Sequence, residues 1–346
     1  MSARVKGLFF PWYNAVLTLL ALWVLFVTVP PLVDWAVVKA KLVPDPALCR
    51  ASFGACWGFI AEKHRLILFG TYPYSEQWRP VAATLLLIAL LTLTTRRSFG
   101  RAWLGIVWAA GLAAIFVLMG GGMLGLSEVE TARWGGLPLT LILAVGGLAI
   151  AFPLAIVLAL GRRSQLPVIR AMCIAYIELV RGVPLISVLF MASVMVPLFL
   201  PPGISVDKLV RAEIGIILFA AAYVAESIRG GLQAVPSGQE EAADALGLPY
   251  AQKMGRIVLP QALKIAIPSI TNNFISTFKD TSLVVIIGLF DLLGALKAAL
   301  NDAPWRTFFI EGYLFVAVIY FALNMALSTY AQSLERETER GPTVDR

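Results

Sequence analysis

The sequence predicts an all-α, polytopic membrane protein of about eight transmembrane helices, and three observations carry that expectation. Hydrophobic residues make up 59% of the 346-residue chain, more than one core can hide. Charged residues fall to 14%, against about a quarter in an ordinary soluble domain. The apolar residues also come in runs near the roughly 20 positions that a helix needs to cross a bilayer. Together these exclude a water-soluble globule. The net charge of +7 fits a positive-inside bias better than nucleic-acid binding. One histidine and three cysteines leave no material for a His-rich metal centre or a Cys₄ zinc site, so no metal is expected.

In chain order the expected spans run from Pro11 to Pro31, Trp78 to Thr95, Ala102 to Gly122, Leu137 to Leu160, Ile174 to Leu200 and Ile214 to Ile228. A broken stretch from Ile265 to Leu296 follows, then Tyr313 to Tyr330. Arg4 and Lys6 precede the first run, but it is long and no small-x-small site closes it, so it reads as an uncleaved anchor. An N-terminus in the cytoplasm places Arg96, Arg97, Arg101, Arg162, Arg163, Arg170, Arg229, Lys253, Arg256, Lys264, Arg336 and Arg340 inside. The later outer loops then hold only Arg133, Lys208, Arg211, Lys297 and Arg306. The first outer loop, 34–77, is the basic exception, and long loops weigh less in the rule. Both termini are therefore expected in the cytoplasm. In the fourth span Gly147, Ala151, Ala155 and Ala159 form a small-residue stripe for close helix packing, within one subunit or between two.

The longest inner loop, Gly230 to Lys264, carries helical punctuation. Ser237 and Glu240 have capping-box spacing after Pro236, and the helix they open is expected to stop at Gly247. Pro249 suits the start of a second helix ending near Leu259, before Pro260. Glu240, Glu241, Asp244, Lys253 and Arg256 exclude burial in lipid, whereas Ala242, Ala243, Leu246, Ile257 and Leu259 form an apolar side. Such a loop either rests on its own bundle or docks a partner.

Glu241-Ala242-Ala243, three residues, Gly247, nine residues, Ile257, one residue and Leu259-Pro260 match the EAA loop pattern. On these residues the chain resembles the binding-protein-dependent ABC importer permeases. Glu178-Leu179-Val180-Arg181-Gly182-Val183-Pro184-Leu185 and Phe278-Lys279-Asp280-Thr281-Ser282-Leu283 narrow the resemblance to the polar amino acid branch, with Gly136-Leu137-Pro138-Leu139-Thr140 at its start. The extension before it, with Gly54-Ala55-Cys56-Trp57 and Gly70-Thr71-Tyr72-Pro73, is similar to M-type permease subunits of general L-amino acid uptake systems. The resemblance implies a five-helix type I importer core at 136–337, an N-terminal extension with three spans at 1–135 and a cytoplasmic tail at 338–346. It implies a bacterial inner-membrane location and alternating access driven by two partner ATPases, which bind the ATP and Mg. It further implies a periplasmic binding protein that delivers the amino acid, and a heterodimer with a second permease. Glu240, Glu241, Ala242, Ala243, Gly247, Ile257, Leu259 and Pro260 become the ATPase-coupling surface.

Two elements repeat: Glu178-x-x-Arg181-Gly182 and Glu226-x-x-Arg229-Gly230. Three residues apart on a helix, each Glu and Arg face the same way, as structural pairs or as a cytoplasmic gate. Lys279-Asp280-Thr281-Ser282 interrupts the seventh stretch, a broken-helix pattern able to meet a zwitterion with help from Asn272 and Asn273. Mutual neutralisation of Lys279 and Asp280 is the competing reading. Cys49 and Cys56, with six residues between them in the oxidising outer loop, are expected as a disulfide and Cys173 as a free thiol. The chain has no Gly-Lys dipeptide, hence no P-loop, and His64 lies in the outer loop away from any nucleophile motif, so no catalytic residue is expected. An ion-coupled secondary amino acid transporter is the alternative function.

Overall fold

The structure of the protein, a computed structural model, describes residues 10–94, 101–201, 203 and 205–339. Arg4, Lys6, Arg96, Arg97 and Arg340, on which part of the orientation argument rests, lie outside the described residues, as does the tail beyond residue 339. The chain divides into two compact units.

The first unit comprises Met1–His64 and Ala299–Phe315. Helix α1 (Trp12–Val33) runs on through a π turn at Asp34–Val38 and buries no residue against the rest of the described chain. Its apolar surface is suited to hydrocarbon on every side. The segment that follows is folded rather than a plain loop. Asp45 caps the helical turn Pro46–Arg50 by accepting from the Ala47 and Leu48 amides. Cys49 and Cys56 are joined as a disulfide, with their α-carbons 5.5 Å apart. Helix α2 (Gly58–Phe69) then begins. His64 therefore stands on a helix and not in a loop, its Nδ1 2.8 Å from the Ala61 carbonyl; the run Ala61-Glu62-Lys63 consists of strong helix formers. The Glu311 carboxylate accepts from the Cys56 amide at 2.8 Å, Lys63 pairs with Asp302 at 2.7 Å, and Phe59 packs on Trp305.

The second unit comprises Arg65–Ala298 and Val316–Arg346. Its helices are α3 (Trp78–Thr94), α4 (Arg101–Gly120), α5 (Gly136–Arg162), α6 (Pro167–Arg181), α7 (Leu185–Phe190), α8 (Lys208–Ala234), α9 (Ser237–Ala245), α10 (Leu259–Asp280), most of α11 (Leu292–Leu300) and the part of α12 (Phe309–Glu339) from Val316 onward. Among the described residues five helical segments are long and apolar enough to cross a membrane: Trp12–Val38, Tyr74–Thr94, Trp103–Gly120, Gly136–Arg162 and Phe309–Arg336. The bent pair Pro167–Arg181 and Leu185–Leu198 brings the number to six. Helices α8 and α10, expected as the sixth span and the start of the seventh, carry several charges each, so eight is not reached on length and apolarity alone.

The expected fifth span, Ile174 to Leu200, is not one helix. Its two halves meet at 103° across Gly182-Val183-Pro184, where Pro184 disfavours helix at the residue before it and glycine terminates α6. Glu178 and Arg181 thus end a separate helix instead of opening a span. The small-residue stripe packs inside this chain: Ala151 lies in a buried cluster with Ala220 and Ala221 of α8, and Ala155 and Ala159 in one with Val224, Ala225 and Ile228. Short side chains let the two backbones approach closely, the arrangement that gives bilayer helices their dispersion contacts.

The end of this unit far from the 230–264 loop is closed by backbone. A Cβ on Gly136, whose φ is +65°, would sit 2.1 Å from the Leu68 carbonyl oxygen, and one on Gly135 would sit 2.8 Å from Gly70 Cα. Gly135 and Gly136 bridge in parallel to Phe290 and Asp291. Buried Asp291 accepts from the Gly294 amide at 2.8 Å and the Tyr320 hydroxyl at 3.0 Å, and the Thr140 hydroxyl accepts from the Leu292 amide at 2.9 Å. Tyr72, of the Gly70-Thr71-Tyr72-Pro73 segment, donates to the Met119 carbonyl at 2.9 Å. Burial pushes its phenol above the usual range despite the nearby Arg79 guanidinium.

Candidate functional site

The loop at 230–264 is built from its local sequence. Helix α9 ends in a Schellman motif: the Leu248 amide donates to the Ala243 carbonyl at 3.1 Å and the Gly247 amide to the Asp244 carbonyl at 2.9 Å. Gly247 takes the left-handed conformation that this turn demands, with φ +68° and open space where a Cβ would stand. The expected capping box does not form. Pro236 occupies the N-cap and Ser237 is already the first helical residue, one position too late to cap, while Glu240 turns elsewhere. The second short helix also differs from expectation, because it does not stop before Pro260. Tyr250–Gln252 leads into a π turn at Lys253–Val258, which passes directly into α10 with Pro260 in its first turn. Proline's fixed φ suits that position.

Ala243, Met254 and Val258 are buried and fix the loop's inner side. Lys253 clips Asp244 at 2.7 Å, and Gln261 reaches Gln239 at 3.1 Å. The other motif residues line the outer side or the hinge with α10. Glu241, Ala242, Gly247 and Pro260 are exposed, and Ile257 and Leu259 are half-buried. Leu246 and Tyr250, exposed beside them, complete an outward surface with an apolar tip and an acidic edge. Glu240 is distinct: its Oε1 accepts from Arg163 Nη2 at 2.9 Å, tying α9 to the end of α5.

Beside that contact lies a charge cluster. Arg229 Nε donates to both Glu226 oxygens at 2.9 Å, and its Nη2 to Oε1 at 2.5 Å. Arg162 Nη1 lies 2.9 Å from Glu178 Oε1 and 3.4 Å from Glu226 Oε2. Arg181 Nη1 lies 3.9 Å from Glu226 and its guanidinium 5.6 Å above the Tyr223 ring. The expected Glu226–Arg229 pair is present, but the expected Glu178–Arg181 pair is replaced. Arg162 from α5 satisfies Glu178, while Arg181 turns toward α8. Sequence spacing missed Arg162 and Arg163 as site members, because it orders partners only within one helix and these bonds cross three.

The candidate substrate residues do not gather at one point. Asn273 Nδ2 donates to the Ser227 hydroxyl at 2.7 Å and the Ser269 carbonyl at 3.1 Å, fastening α10 to α8. Asn272 and Lys279 are exposed, Asp280 and Ser282 half-buried, and Thr281 is fully buried with its hydroxyl on the Phe278 carbonyl at 2.8 Å. The expected interruption of the seventh stretch is real. Helix α10 stops at Asp280, a 3₁₀ segment runs from Thr281 to Ile287, and left-handed Gly288 ends it. Cys173 is a free, half-buried thiol on α6, and no group of three metal-ligating side chains occurs among the described residues.

The helical bundle with its broken span and folded polar loop is that of a multi-pass membrane protein, and comparison with known proteins makes it a permease. Residues 151–340 match the model of the binding-protein-dependent transport system inner membrane components, and the chain belongs to that family. Over 98% of its length it is 46% identical to the inner membrane amino-acid ABC transporter permease protein YhdY of Escherichia coli strain K12, covering 93% of that protein. It is 39% identical to the glutamate/glutamine/aspartate/asparagine transport system permease protein BztC of Rhodobacter capsulatus, covering 83% of this chain and 80% of the relative. A solved amino acid ABC transporter chain, crystallised with histidines, superposes with a TM-score of 0.52 at 31% identity. That match covers 58% of this chain and 92% of the solved one. The fold is that of type I ABC importer permeases, and the ion-coupled alternative finds no support among these relatives.

Proposed function

We propose that the chain is the permease subunit of an ATP-driven amino acid importer in a bacterial inner membrane, forming the path by alternating access. The observation that carries this is 46% identity across nearly the whole chain to an amino-acid ABC permease. The partners are two ABC ATPases, which hold the ATP and Mg, and a periplasmic binding protein that delivers the amino acid. A second, related permease completes the bundle. That the solved relative matches 58% of this chain but 92% of its own length supports a core at 136–337 preceded by an extension of three spans. Loop 230–264 faces the cytoplasm, as do both termini. Its exposed Glu241, Leu246 and Tyr250 enter a groove of the ATPase, whose closure moves the loop. Of the polar residues around the break, exposed Asn272 and Lys279 with half-buried Asp280 and Ser282 face the solute route, while buried Thr281 and bonded Asn273 hold the helices that carry them.

The test is Gly247→Val in the assembled complex, with uptake normalised to membrane-inserted protein. A β-branched residue held at positive φ costs at least ~1 kcal/mol and re-aims the loop tip. Uptake and binding-protein-stimulated ATP hydrolysis should both be lost at normal abundance, and Glu241→Lys should lower both. Full uptake by Gly247→Val would overturn the coupling role. Topology is tested separately: reporter fusions after Gln77 and Arg133 should score as periplasmic, and fusions after Arg97, Gly238 and Arg346 as cytoplasmic. A cytoplasmic signal after Gln77 would sink the orientation.

A further inference from the structure

We propose that the consecutive arginines Arg162 and Arg163 are positioning residues that carry displacement of the loop into the charge cluster; this rests on the coupling role given to the loop above. Arg162 is the last residue of α5 and Arg163 its C-cap, held in helical conformation with its amide on the Leu160 and Gly161 carbonyls. Consecutive residues of a helix point about 100° apart, so one rigid helix end presents two guanidinium groups to two different neighbours. Arg163 grips Glu240 of α9 at 2.9 Å. Arg162 grips Glu178 of α6 at 2.9 Å and reaches Glu226 of α8 at 3.4 Å. Four elements, α5, α6, α8 and α9, are therefore joined through two adjacent residues.

The chemistry suits a joint that moves. Among the described residues Arg162, Arg181 and Arg229 pair with Glu178 and Glu226 alone, so three positive charges share two negative ones and Glu226 answers to all three. A carboxylate with competing partners exchanges one for another at small cost in partly exposed surroundings. Both arginines also sit where the helix dipole favours positive charge, which keeps them at the α5 end when a partner leaves. Glu240 thus acts inside the chain, whereas Glu241, exposed on the outer side of the same helix, remains for the ATPase.

The test uses the whole complex, reconstituted in proteoliposomes with its ATPases and binding protein. Uptake of a labelled mixture of proteinogenic L-amino acids is measured per ATP hydrolysed. Arg163→Glu and Glu240→Arg should each lower that ratio about fivefold, the scale set by one partly exposed ion pair. Their thermal unfolding midpoints should stay at the wild-type value. The exchange Arg163→Glu with Glu240→Arg should restore the ratio. Single reversals that keep the wild-type ratio, or an exchange that restores nothing, would overturn the proposal. Gly247→Val run in parallel separates the two claims: lost uptake there with a normal Arg163→Glu ratio rejects this joint and leaves the docking role standing.

Discussion

The two ends of the larger unit both pack helices closely but differ in what is added to that packing. At the loop end, beside a buried apolar layer that includes Leu232, Met254 and Val258, the elements are joined by side-chain ion pairs at 2.9 to 3.9 Å, most of them partly open to solvent. At the far end they meet through backbone: Gly135 and Gly136 lie against Gly70, Leu68, Phe290 and Asp291 with no room for a side chain. Ion pairs in partly wet surroundings contribute little each and re-form with new partners. Backbone in van der Waals contact has no alternative arrangement nearby. The comparison teaches that the loop end holds contacts able to exchange partners, whereas the contacts of Gly135 and Gly136 have no such alternatives.

Substitutions can break this contrast. The largest effect belongs to Gly136→Val, which places a branched Cβ at positive φ within about 2 Å of the Leu68 carbonyl. The clash and the strain together exceed roughly 3 kcal/mol, so membrane-inserted protein should fall at least about tenfold on quantitative immunoblots. Normal abundance would show that the far end is not sterically closed. Next comes Asp291→Ala, which leaves the half-buried Leu293 amide, the buried Gly294 amide and the Tyr320 hydroxyl without their acceptor. A loss of about 3 kcal/mol should lower the unfolding midpoint of the detergent-solubilised protein by roughly 5 °C. The smallest belongs to Glu178→Gln at the loop end. Its carboxylate is 54% exposed, so the midpoint should move by less than about 1 °C. A shift as large as that of Asp291→Ala would erase the distinction between the ends.

Much of the bundle was legible because lipid imposes a one-dimensional rule: a run of apolar residues of sufficient length is a span. The runs starting at Pro11, Trp78, Ala102, Leu137 and Tyr313 correspond to helices suited to crossing a membrane. Where charge enters a helix the rule loses its grip, as with Lys208, Arg211 and Glu213 in α8. The turn at Gly247 was legible because glycine answers a local backbone requirement. The failure of Ser237 as a cap was not, because Pro236 shifts the helix start by one residue and Glu240 is claimed by Arg163, distant in sequence. The same limit hid the replacement of Arg181 by Arg162 as the partner of Glu178. Spacing along one helix orders candidates, but the third dimension chooses among them.

The π turn at Lys253–Val258 has a consequence of its own. A short π segment amounts to one residue inserted into an α-helix, and each residue advances the helical phase by about 100°. The azimuth at which α10 presents Asn273 to α8, relative to the orientation of α9, is therefore set by a single extra position. Deleting one residue from this stretch would rotate everything beyond it by about 100°, more than a quarter turn. The loop and the helix behind it are thus one continuous crankshaft whose offset is written in the count of residues rather than in their identity.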